Sequence, residues 1–183
     1  MSLSTCESRR GIVCVALVVA LASSARSSAA EPIPLPMRGR SIQFAPDLRR
    51  IVDTMLRRSA TFRSMYNRVV ASPSLIVDVR ADPLLASRAF MARSTIHRYK
   101  SGLVVVTVVV KAGHGQALWI AHEFGHIVEQ LDGVNLRAMA DHGAKGVWYS
   151  ADRMIETSRA IRAGRTVMSE MNQRTRRSDN LVE

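Results

Sequence analysis

The chain has 183 residues, the size of one domain with appendages. Lys and Arg number 26 against 15 Asp and Glu, a formal net charge of +11. Most of the excess is Arg scattered between apolar positions, as in "DLRRIVDTMLRRSATFRSMYNRVV", which reads as solvated helix faces. Only "RTRR" near the C-terminus forms a basic cluster, so a nucleic-acid partner is not expected.

Residues 1–30 have the three parts of a secretory signal peptide. "ESRR" gives a positive start and "GIVCVALVVALA" an apolar run shorter than the ~18 residues that span a bilayer. Small residues then lead to "SSAA", with cleavage expected before Glu31 and a cut after Ala25 as the neighbouring alternative. The expected product is secreted or periplasmic, without stable membrane insertion. Cys6 and Cys14 both lie in the removed segment, so any metal must be held by His, Asp or Glu.

A Pro-rich leader is expected over residues 31–45 and an ordered domain over 46–172. Helical spacing begins after Pro46, with Leu48, Ile51, Val52, Met55 and Leu56 on one face. Ser59 or Thr61 can cap a second helix that turns Phe62, Met65, Tyr66, Val69 and Val70 inward. "SPSLIVDVR" is a β-branched run between prolines and predicts a strand, followed by an irregular "ADPLLASRAFMA". "RSTIHRYK" and "LVVVTVVVK" predict a hairpin with Ser101-Gly102 as a two-residue turn. Val104 to Val110 is apolar on both faces apart from Thr107, which predicts a central strand covered by helices.

A helix is expected from Gln116, and "DGVNLRAMADHGAKGVWY" reads as a connector holding a short helical turn. Ser150 can cap a helix over "ADRMIETSRAIRA", with Asp152 near its positive end and Gly164 ending or bending it. The residues from Arg165 onward read as a polar, frayed tail, with 173–183 outside the domain.

The chemistry concentrates in "ALWIAHEFGHIVEQLDG", residues 117–133. His122 and His126 stand one helical turn apart on the same face, where both imidazoles can reach one Zn²⁺ at ~2.0–2.1 Å. Glu123 points to the side, where it can take a proton from water polarised by the metal. The pattern is H-E-x-x-H, the zincin signature.

A third protein ligand is required, and three residues compete for the place. Asp132 falls where metzincins put their last ligand, but Glu129 replaces the glycine that lets those chains turn. His142 lies in a flexible-looking connector, and Glu156 stands thirty positions beyond His126 on the expected later helix. Tyr149 and His114 are candidate donors to an oxyanion, with a packed aromatic and a loop histidine as the plainer alternatives.

The chain resembles a group of short, secreted bacterial zincin-like proteins of the gluzincin type. The resemblance rests on "SATFR" (59–63), "LIVDV" (75–79), "HEFGHIVE" (122–129) and "ET" (156–157), and spans about residues 47 to 163. It implies Glu156 as the third ligand. The expected whole is an α+β, zincin-like domain. N-terminal helices precede a small mixed or antiparallel sheet on the H-E-x-x-H helix, and a C-terminal helix brings the last ligand. The expected function is zinc-dependent hydrolysis of a peptide or protein substrate, against an inactive zinc-binding scaffold of the cell envelope as the alternative.

One consequence is direct. Protein recovered from outside the cytoplasm should have an intact mass beginning at Glu31, or near Arg26; a full-length mass in the membrane fraction would contradict signal cleavage.

Overall fold

The computed structural model describes residues 41–83, 91–151 and 153–179. The signal segment, the leader up to residue 40, most of the irregular "ADPLLASRAFMA" and Asp152 therefore lie outside the described residues. The fold is α+β. In chain order it runs β1 (Ile42–Phe44), α1 (Arg49–Arg58), α2 (Ala60–Val70), β2 (Leu75–Asp82), β3 (Ala92–Arg98), β4 (Val104–Lys111) and α3 (Gln116–Leu131). The short helix α4 (Leu136–Asp141), the strands β5 (Val147–Tyr149) and β6 (Ile155–Thr157) and the long helix α5 (Ser158–Asp179) follow.

Four strands form a mixed sheet in the order β1-β2-β4-β3. β1 and β4 both run parallel to β2, and β3 runs antiparallel to β4 at the outer edge. Alternation sets the buried face, because successive side chains point to opposite sides of a strand. Val77 and Val79 of β2 and Val106, Val108 and Val110 of β4 are buried, whereas Val105, Thr107 and Val109 are half-exposed. The expectation of helices on both faces of β4 is thus corrected: the strand is central, but its core lies on one side. β1 corrects the leader boundary too, since its three residues pair where no order was expected.

The β3–β4 hairpin forms as expected with a longer turn. Tyr99 N–H donates to Leu103 O at 2.9 Å, leaving Lys100, Ser101 and Gly102 in the loop. Gly102 takes the left-handed conformation, φ 83°, that closes a three-residue hairpin loop.

On the buried face, α3 presents Ala117, Ile120, Ala121, Phe124, Ile127 and Val128 to the core. Phe124 is fully buried, with its ring centroid 5.2 Å from Phe62 of α2 and 6.2 Å from Phe44 of β1. Aromatic contacts on two sides fix the rotation of α3 about its axis, and truncating such a side chain typically costs about 3–5 kcal/mol. In α2, Phe62, Met65 and Val69 are buried as expected, while Val70 is turned outward.

The C-terminal region differs most from expectation. Gly164 does not end a helix, because α5 runs on to Asp179 and buries Val167. Its glycine serves a close approach instead. A Cβ on Gly164 would fall 2.9 Å from the Leu118 carbonyl oxygen, and one on Gly125 of α3 would fall 2.8 Å from Ala160 Cα. Gly125 gives up about 1 kcal/mol of helix propensity and gains this contact with α5.

"SATFR" makes the corner between α1 and α2 and ties it to α5. Ser59 caps α2 by accepting from Phe62 N–H at 2.9 Å, and its own hydroxyl donates to Glu170. Thr61 adds two donors to Glu170, its N–H at 3.1 Å and its hydroxyl at 2.9 Å. Arg63 closes the end of α1 by donating to Leu56 O at 2.8 Å and Arg57 O at 3.1 Å.

Desolvation pushes the Glu170 pKa up, but the hydrogen bonds from Ser59 and Thr61 outweigh it and hold the carboxyl below its ordinary value of 4.5. A depressed folded pKa gives stability that is present above the unfolded value and is lost as pH falls through the folded one. Glu170→Gln should therefore cost about 1 kcal/mol near neutral pH. Its loss of stability on acidification below about pH 4.5 should be shallower than that of the wild type. Denaturant midpoints measured across that range check both, and parallel pH curves for the two proteins would refute the linkage.

Candidate metal centre

Four of the five buried polar or charged side chains among the described residues, His122, Glu123, Glu129 and Thr157, lie on α3 or at the junction of β6 and α5. Burying ionisable groups is unfavourable unless they are paired, so their partners define what the cluster is for. α3 sets two of them on one face. Its apolar stripe faces the core, and His122 and His126 rise from the flank with ring centroids 4.8 Å apart and planes at 83°.

Glu156 meets both rings. Its Oε2 lies 3.2 Å from His122 Nε2 and 3.9 Å from His126 Nε2. Tetrahedral ligands at zinc-like bond lengths stand about 3.4 Å apart, and the two separations bracket that value. One ligand atom from each of His122, His126 and Glu156 fits within 4.8 Å of the others, so the group could hold a metal ion. Glu156 arrives on a strand and not on the expected helix: β6 pairs antiparallel with β5, placing Glu156 opposite Trp148. The helix begins two residues later, where Thr157 accepts from Ala160 N–H at 3.0 Å and caps α5.

A layer of polar contacts lies behind the ligand group. Glu129 Oε2 is 3.1 Å from His126 Nδ1, and the Thr157 hydroxyl reaches Glu129 Oε1 at 2.9 Å and Oε2 at 3.1 Å. With Nδ1 donating to Glu129, Nε2 of His126 is left as the acceptor that a metal requires. Burial alone would lower the His126 pKa. The hydrogen bond that the ring donates to Glu129 and the charges of Glu123, Glu129 and Glu156 overcome it and hold the ring above its ordinary value. Glu156 is held below its own by the His122 hydrogen bond and the charges of both rings, against partial desolvation.

The charge balance tests whether a cation fits. Glu123, Glu129 and Glu156 gather around two imidazoles, and the ion pairs they make among the described residues are with those imidazoles alone. Three carboxylates with no Lys or Arg between them leave a negative charge that a divalent ion would offset.

Glu123 stands apart from the three ligands. It is buried, and burial pushes its carboxyl up from the ordinary value, against a hydrogen bond from Ser94 and the two nearby rings. The Ser94 hydroxyl donates to Glu123 Oε2 from β3. No local signal in the sequence singles out Ser94. Alternation along β3 puts Ala92, Ser94 and Ile96 opposite the buried Val110, Val108 and Val106 of β4, but the docking of that face against α3 is long-range.

The other candidates lie elsewhere. Asp132 ends α3 and pairs with Arg159 at 2.7 Å and with Arg68, which hold its carboxyl below the usual range. His142 is exposed at the end of α4, with Nδ1 2.6 Å from Ala138 O. Tyr149 donates its hydroxyl to Asp141 at 2.6 Å, and His114 is exposed in the loop before α3. None of the four lines the cleft of about 860 Å³ into which His122, Glu123, His126 and Glu156 open. One wall of that cleft is β3, whose outer edge has no neighbour strand among the described residues.

With Zn²⁺ as the probe ion and a competing chelator, Glu156→Ala should weaken binding by at least about 100-fold and Glu129→Ala by about 10- to 100-fold. Asp132→Ala should leave it unchanged. Comparable losses for Asp132→Ala and Glu156→Ala would refute the assignment of ligands. Comparison with family models, curated proteins and solved structures finds no match to this chain, so its function has to be argued from this geometry.

Proposed function

We propose that this chain is a secreted zinc-dependent hydrolase, with peptide bonds as its substrate. The observation that carries the proposal is the position of Glu123. Its carboxylate is buried beside the ligand group, lines the same cleft, and is not one of the three atoms that converge on the metal position.

His122, His126 and Glu156 would hold the ion, leaving room for water and substrate on the cleft side. Zinc, when bound, supplies a Lewis acid that polarises a carbonyl and makes water more acidic. Two imidazoles and one carboxylate suit zinc among the common divalent ions, whereas magnesium and calcium prefer all-oxygen sets.

The protein's own groups then divide the work. Glu123 takes a proton from the attacking water and delivers it to the departing amine. Its place beside the ligand group, outside the three converging atoms, lets it reach a water there without occupying the metal position. Ser94 holds one oxygen of Glu123, which lines the cleft. Glu129 and Thr157 fix the His126 ring. An extended substrate can hydrogen-bond through its backbone to the free edge of β3, a mode that suits a peptide better than a compact small molecule.

Localisation outside the cytoplasm is proposed from residues 1–30 alone. Among the described residues no helix is long and apolar enough to cross a membrane.

Glu123→Gln separates binding from chemistry. The variant should retain near-stoichiometric zinc by elemental analysis while turnover of a peptide library falls by about 10²- to 10⁴-fold. Loss of zinc in the variant, undiminished hydrolysis, or a zinc-loaded wild type that cleaves nothing would each refute the proposal.

A further inference from the structure

The cleft has an uneven charge. Arg98, Arg137 and Arg153 line it, and the acidic groups that line it are Glu123 and Glu156. A divalent ion on His122, His126 and Glu156 would offset both carboxylates and leave the three guanidinium groups uncompensated by the described residues that line the cleft. Arg137 and Arg153 make no ion pair among the described residues. Arg98 is positioned by a neutral partner, donating to Gln130 Oε1 at 2.7 Å, and so keeps its charge available.

The turn that carries Arg153 adds a second observation. It is closed by Ser150 N–H to Met154 O at 2.8 Å and Arg153 N–H to Ser150 O at 3.0 Å. Within it Arg153 holds φ 58°, the only non-glycine residue with positive φ among those described. Such a conformation typically costs about 1 kcal/mol or more outside glycine, Asn and Asp, yet a long cation stands there on the cleft wall.

We infer that the cleft selects acidic peptides, with Arg98 and Arg137 binding a substrate carboxylate and Arg153 adding to the field. This rests on the hydrolase proposed above and names its substrate class. The spacing follows from regular geometry. Gln130, which holds Arg98, is seven residues beyond Glu123 on α3, about 10 Å along the helix axis. Arg98 is four residues beyond Ser94 on β3, about 13 Å along the strand. An extended peptide advances about 3.3 Å per residue, so the acidic side chain belongs three or four positions from the bond to be cut. Arginine suits this task because its planar fork matches a carboxylate with two hydrogen bonds.

Binding tests this apart from turnover. The full mature chain carrying Glu123→Gln, supplied with Zn²⁺, is titrated into fluorescein-labelled peptides of one neutral sequence with Glu or Lys at a single position. The Glu peptides should bind at least about 10-fold tighter than their Lys counterparts, with one maximum as the Glu is moved along the chain. Arg98→Gln with Arg137→Glu should reduce the preference to about twofold or less, and Arg137→Glu alone should reduce it part of the way. The distant pair Arg50→Glu with Arg165→Glu removes as many positive charges from exposed helix faces and should leave the preference within about twofold. Equal binding of Glu and Lys peptides, a preference indifferent to position, or equal loss in the distant pair would overturn the inference. Zinc content and wild-type turnover report separately on the hydrolase. A chain without zinc or activity that still prefers acidic peptides through Arg98 and Arg137 would refute that function and leave this selectivity standing.

Discussion

Two helices of this chain approach so closely that a methyl group on either glycine would not fit between them. Gly125 of α3 meets Ala160, and Gly164 of α5 meets the backbone of Leu118. Everything at the candidate metal centre depends on that approach. α3 carries both histidines, and the start of α5 fixes where β6 must lie, because Thr157 ends the strand and caps the helix. Were the helices a methyl radius further apart, the Glu156 carboxylate would move off the point on which both imidazoles converge. The same close packing brings the Thr157 hydroxyl within reach of both Glu129 oxygens, so one contact surface places a ligand and orients another.

Electrostatics opposes this arrangement. Glu123 and Glu129 are buried and Glu156 is partly so, within reach of two imidazoles and no Lys or Arg partner. Such a cluster is unfavourable in a low-dielectric interior unless a cation joins it. The surrounding packing therefore has to be rigid: Phe124 is held by Phe44 and Phe62, and α5 is tied to the α1–α2 corner through Glu170. "SATFR", far from the histidines in sequence, thus bears on the site through α5. Its Ser and Thr anchor Glu170 and its Arg closes α1, so the motif acts through packing and capping without touching the metal position.

In the proposed reading the cleft would combine two kinds of recognition. A free strand edge offers backbone hydrogen bonds that any extended peptide can use, whatever its sequence. The arginines lining the cleft would add discrimination by charge, and the chain's excess of positive charge would speed the approach of anionic partners at low salt. Affinity from the backbone and selectivity from the arginines need not compete, because they come from different atoms of the same cleft.

The sequence alone determined whatever depends on short spacing. Two histidines four residues apart on a helix must share a face, and a glutamate beside the first must point elsewhere. The apolar stripes of α1, α2 and α3 and the alternation of β2 and β4 follow from the same periodicities. Tertiary structure decided what depends on long-range contact. "IET" lies in a stretch of helical spacing, yet it pairs with β5 as a strand, because local propensity yields when a partner strand and a buried cap are available. Along the chain Asp132, His142 and Glu156 all compete for the third ligand place, with Glu156 favoured. Arg68 and Arg159, brought in by α2 and α5, draw Asp132 away, and the closeness of α3 and α5 puts Glu156 in its place. Ser94 and the three arginines of the cleft were invisible for the same reason: a side chain's partner across a fold depends on how elements dock, which no local period encodes.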